Sequence, residues 1–95
     1  MDFKDTIVLM NSEDYKERFK AEYFQLKERY ERLKAFNTKI DAANRTQYQS
    51  GKRVEMPKHD CPDDLLMQQQ HLMGEYLHVL ELRALIEDID LFGAV

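Results

Sequence analysis

The 95-residue chain is predicted to be all-α: an antiparallel two-helix hairpin with a short N-terminal segment, assembling into a compact oligomer. Three observations predict this. Apolar residues recur every seven positions along two stretches, and a polar segment holding Gly51 and Pro57 separates them. The second stretch carries more apolar surface than one antiparallel partner covers. A lone hairpin of this length also buries too little surface to be comfortably stable, which favours self-association. The whole chain, residues 1–95, is read as one domain.

Thr6 to Met10 is apolar and partly β-branched, compatible with a short helix or with an extended arm on a neighbouring subunit. The first long helix is expected over about residues 12–43. Phe19, Leu26, Leu33 and Ile40 recur every seven residues, and Tyr23 and Tyr30 fall four after the first two, which makes an a/d seam. Asn11 and Ser12 are the N-cap candidates, and Glu13 and Asp14 place acid in the first turn, where the helix dipole favours it. Asn37 interrupts the seam, so the last turns are expected to lean away from the partner helix.

Residues 44–60 are expected to be the connecting loop, polar and without a period. That is long for a plain turn between helices, so the loop is a candidate functional element beside the reading that it is an idle tip. The second helix is expected over about 61–91. Pro62 suits its first position, Asp60 or Cys61 can cap it, and Asp63 and Asp64 follow in its first turn. Leu65, Leu72, Val79 and Ile86 form one row, and Leu66, Met73 and Leu80 form the next. Gly74 would permit close approach of a helix from another subunit, and Gly93 is expected to end the helix.

Composition excludes several functions. The net charge of −4 divides into +3 over residues 1–58 and −7 over residues 59–95, so the strongly basic field of a simple nucleic-acid binder is missing. A phosphate ligand would have to sit in a small pocket. No apolar run approaches the roughly 18 residues of a membrane span. The N-terminus MDFKDTIVLM has no signal-peptide pattern, and Cys61 is the only cysteine, so the cytosol is the expected location.

Enzyme chemistry is not expected. His59-Asp60-Cys61 are adjacent in a loop and read as capping or solvent-exposed groups. His71 and His78 lie seven apart, about 10 Å along a helix, too far to share a metal unaided. The three glycines are isolated, so there is no phosphate-cradling loop and no cofactor is expected. Most cations of the first helix have a carboxylate three or four residues away, as in Glu28–Arg32, and read as a salt-bridged face. Their alternation with aromatics nonetheless supplies the parts that hold a base and its phosphate. Tyr15 and Arg29 share a face but lie about 21 Å apart by helical rise, so a pocket using both takes them from different chains.

Gln69, Tyr76 and Arg83, spaced by seven, form a polar stripe on the second helix, and Arg83 is the only Lys or Arg after Lys58. A guanidinium among Leu72, Val79 and Ile86 needs an anionic partner, and none is obvious within its own helix. Adjacent acids such as Glu87 and Asp88 read as solvated surface.

Two stretches, Asp14-Tyr15-Lys16-Glu17-Arg18 through Glu22, Leu26, Arg29, Leu33 and Phe36, and Leu66, Gln69, Met73, Tyr76-Leu77, Leu80 and Arg83, carry a resemblance. Together they resemble the small phage helical-hairpin proteins that act as anti-CBASS cyclic-nucleotide sponges, a hairpin also found in anti-Thoeris sponges. The likeness covers roughly residues 13–90. It implies a compact hexamer that binds cyclic dinucleotides, and in some members cyclic trinucleotides, at subunit interfaces in the cytoplasm of the infected bacterial host. The messenger is held without being cleaved, so the host effector stays inactive. By matched position Tyr15 is the candidate for base stacking and Arg29 for phosphate contact, with Arg18 and Lys27 next. Arg83 either reaches a ligand phosphate or forms a structural ion pair with Glu22 or another acid of the partner helix. Tyr76 and Gln69 are expected to pack and orient their neighbours. The loop 44–60 is long and basic for the family. The competing reading is a helical protein-interaction module that inhibits or scaffolds a host or phage protein.

Overall fold

The seven-residue seam, the acidic start at Asp14 and the glycine after Ser50 translate into helices. The structure, a computed structural model, describes residues 2–51 and 53–92, which form α1 (Phe3–Met10), α2 (Tyr15–Ser50) and α3 (Asp63–Ile86), with no strand among them. The short N-terminal segment is thus a helix.

α2 begins at Tyr15 because Asp14 caps it, its carboxylate accepting from the Lys16 N–H at 2.9 Å. Ser12 acts one step upstream, accepting from the Asp14 N–H at 3.1 Å, so neither Ser12 nor Asn11 is the cap. α2 continues to Ser50, seven residues past the expected end. Asp41–Arg45 pair one turn apart at 3.0 Å, and Gly51, at φ +68°, closes the helix. The sequence loses its hydrophobic period after Ala43, yet nothing breaks a helix before Gly51. The last residues, 44–50, are all exposed.

α3 runs antiparallel to α2. The Tyr23 hydroxyl meets Glu81 at 3.3 Å, Tyr30 lies against Gly74, and Asn37 Nδ2 donates to the Leu66 carbonyl and to Gln70. A Cβ on Gly74 would come within 3.3 Å of the Tyr30 ring, so the close approach Gly74 permits is to α2 of its own chain. Asn37 is buried and stitches α2 to α3, so the helices do not part there. Phe19, Tyr23, Leu77, Leu80, Ala84 and Ile89 form the core, and burial together with Glu81 pushes the Tyr23 phenol up to about 12.

Pro62 sits just before the first turn of α3, its carbonyl accepting from Leu65 and Leu66. The connection returns along the exposed end of α2, and by His59 it has reached the level of Phe36, ring to ring at 5.7 Å. Covering that overhang accounts for the length of the loop. α3 ends at Ile86, short of residue 91. Asp88 adopts φ +57°, and the Ile89 N–H bonds back to the Ala84 carbonyl at 2.8 Å, the Schellman closure that turns Ile89 into the core. Gly93 lies outside the described residues.

α1 packs on another flank of α2. Thr6 is fully buried and accepts from Gln25 Nε2 at 2.9 Å, and Ala21, one turn before Gln25, is also fully buried. Among the described residues, α1 and α3 touch α2 and not each other.

Candidate functional site

Because α1 and α3 occupy different flanks of α2, a strip of α2 stays open between them. Arg18, Glu22, Gln25, Leu26 and Arg29 lie three or four residues apart and share this strip. Met10 of α1 forms one wall and Tyr76 of α3 the other, enclosing a cleft of about 450 Å³.

Its polar groups are arranged unevenly. Arg18 is tied back, donating to the Ser12 carbonyl at 2.7 Å. Arg29 is exposed and makes no hydrogen bond or ion pair with any described residue. Between them, Glu22 pairs with neither arginine and instead accepts from the Tyr76 hydroxyl. That bond, with some desolvation, raises the Tyr76 phenol above its ordinary 10.0.

A second polar group lies at the start of α2 and the end of α3. Arg83 donates to Glu87 through Nε at 2.7 Å and through a terminal nitrogen at 3.2 Å, and its guanidinium lies 5.0 Å from the Phe19 ring centroid. The partner sought for Arg83 is therefore Glu87, one turn along, and the Glu22 carboxylate is held by Tyr76. The Arg83 hydrogen bond lowers the Glu87 carboxyl below its ordinary value, with further help from Tyr15 and Lys16. The arginine is raised in return, above all by Glu87. Tyr15, the first residue of α2, is exposed beside this pair.

The five candidates thus divide. Arg18 and Arg29 share the cleft, while Tyr15 and Arg83 share the closed cluster. Lys27 faces elsewhere, its ammonium 5.9 Å from the Tyr23 ring and 5.4 Å from the Phe92 ring. Gln69 is exposed and outside the cleft. Sequence reasoning missed Met10, Gln25 and the cleft role of Glu22, because α1 had no assigned place. The three- and four-residue spacing from Arg18 to Arg29 was the available signal.

A larger groove of about 870 Å³ lies beside Tyr30, between Met67, Gly74 and His78, where His71 is already paired with Glu75 at 3.2 Å. No group of His, Cys, Asp and Glu among the described residues is arranged to hold a metal, and no described helix is long and apolar enough to cross a membrane.

The surface of α3 is divided too. Leu66, Met73 and Leu80 turn toward α2, whereas Leu65, Leu72, Val79 and Ile86 remain between 51% and 81% exposed.

The profile of the family described as Sequestin matches residues 13–86. No curated protein and no solved structure matches the chain.

Proposed function

The chain belongs to the Sequestin family, and on that premise we propose that it captures cyclic oligonucleotide second messengers and holds them uncleaved, which keeps a CBASS effector inactive. The family name points to sequestration rather than turnover. The observation that carries the reading is Arg29, a guanidinium with no partner among the described residues, in a cleft walled by an aromatic ring. Arginine meets phosphate through a planar fork of donors, and a cation without a protein carboxylate has those donors available. Arg29 takes the phosphate, Arg18 joins it when it leaves Ser12, and Tyr76 offers a ring face to the base, with Tyr15 reaching the same ligand only from a neighbouring copy. Arg83, already neutralised by Glu87, contributes chiefly to the fold. Lys27 reaches a ligand only from a neighbouring copy.

Capture at subunit interfaces requires an assembly, proposed as a hexamer of helical hairpins. The chain exposes 7396 Å², against roughly 5,800 Å² for a compact protein of its 11.4 kDa. The surplus of about 1,600 Å² is about twice the roughly 800 Å² that one partner contributes to a standard interface, and the exposed row on α3 supplies apolar surface for it. The same row favours the second reading, a module that docks on another protein. Sedimentation separates them: about six chains supports the sponge, and a monomer with the row free supports the docking module.

Filtration tests the function. Protein incubated with 3′,3′-cyclic GMP–AMP or cyclic tri-AMP should deplete the free nucleotide from the filtrate, and denaturation should return it intact. A linear product would mean an enzyme, and an undepleted filtrate with every cyclic nucleotide would sink the proposal.

A further inference from the structure

The cleft contains a group that a phosphate site does not need. Glu22 lies one turn from Arg18 and two turns from Arg29, about 6 and 10 Å along the axis of α2. A carboxylate there repels any phosphate the arginines attract, yet it forms no ion pair with either of them among the described residues. The Tyr76 hydroxyl engages Oε1, and Oε2 has no partner among the described residues. An ionised carboxylate has about four lone-pair sites, so most of its accepting capacity faces the open cleft rather than a described protein donor. Only hydrogen-bond donors on the ligand can use it.

We propose that Glu22 selects the base, and that the cleft takes guanine-containing nucleotides in preference to adenine-only ones; this rests on the reading that the cleft binds a nucleotide phosphate. Guanine presents two adjacent donors, N1–H and the N2 amino group, which match the two oxygens of a carboxylate. Adenine presents one amino donor beside the N1 lone pair, which faces the second oxygen with like charge. With a phosphate at Arg29, a base lying along α2 toward Tyr76 brings its edge to Glu22. Tyr76 is then a positioning residue: its hydroxyl fixes one oxygen and its ring bounds the base.

Titration calorimetry with cyclic di-GMP and cyclic di-AMP at neutral pH tests this on the full chain, as wild type, Glu22→Gln, Glu22→Ala and Tyr76→Phe. A paired hydrogen-bond contact discriminates by about 1–3 kcal/mol, so the wild type should favour cyclic di-GMP by about five- to a hundredfold. Glu22→Gln replaces one acceptor by a donor and should reduce that preference below threefold, while leaving cyclic di-AMP bound as well or better. Glu22→Ala should equalise the two ligands, and Tyr76→Phe should lower the preference partway. Glu22 and Tyr76 are exposed, so unchanged circular dichroism should accompany each result. Equal wild-type binding of both ligands, the outcome if Glu22 took a ribose hydroxyl common to both, would overturn the assignment of Glu22 alone. So would a guanine preference that survives Glu22→Gln. Binding of neither ligand would overturn the base selection, and if 3′,3′-cyclic GMP–AMP and cyclic tri-AMP also failed to bind, the nucleotide reading would fall with it.

Discussion

Arg29 and Arg83 are both exposed guanidiniums beside a tyrosine and a glutamate, yet their surroundings give them opposite chemistry. Arg83 has Glu87 one turn away on the same face, and two hydrogen bonds join them. Arg29 has Glu22 two turns away, and that carboxylate is held by Tyr76 instead. A cation with its own carboxylate is neutralised before any ligand arrives; a cation without one keeps its donors. The availability of an arginine therefore follows from which neighbour reaches the nearest acid first, and not from exposure, which the two share.

Substituting each arginine puts the comparison at risk. Arg29→Met keeps the aliphatic stem and removes the fork. Hydrogen bonds to charged groups contribute about 1.5–3 kcal/mol, so calorimetry should show cyclic dinucleotide binding weakened about ten- to a hundredfold. The melting temperature should hold, since Arg29 has no described partner to lose. Arg83→Met should do the reverse, lowering the melting temperature by a few degrees through the lost Glu87 pair and Phe19 contact, and changing affinity less than threefold. Equal losses of affinity in both variants would erase the distinction.

Asp88→Gly probes the turn that carries the Arg83 cluster. Asp88 holds a left-handed conformation that glycine adopts without a Cβ penalty, so the variant should gain about 0.5–1 kcal/mol in denaturant unfolding. A loss would mean that the Asp88 side chain holds the turn. The smallest effect is on pH. Glu87 is depressed in the folded chain, so its contribution is present above the ordinary carboxyl value of 4.5 and lost as pH falls through the folded value. Thermal melts of the wild type should show this acid limb, and melts of Arg83→Met should show less of it.

Much of this was legible in the chain. The seam residues Phe19, Tyr23 and Ile40 are buried, because a seven-residue apolar period leaves a helix few other ways to bury them. The division of α3 into two apolar rows also followed from spacing. The overhang of α2 did not, since loss of hydrophobic period marks loss of burial and not the end of a helix. Asn37 was misread because a polar residue in a seam looks like a break until a carbonyl and an amide across the interface are known to receive it. The Arg83–Glu87 pair obeys the same spacing as Glu28–Arg32, and reading Glu87 with Asp88 as solvated surface hid it. The cleft required knowing where α1 docks, and that depends on Thr6 meeting Gln25, a contact with no periodic signature.

A structure of the chain with cyclic di-GMP bound distinguishes the two arginines outright. A ligand phosphate should lie within hydrogen-bonding distance of the Arg29 guanidinium, with a base against Tyr76 and the Arg83–Glu87 pair intact. A phosphate on Arg83 with Glu87 displaced, or a ligand in the groove beside Tyr30 and His78, would contradict the distinction.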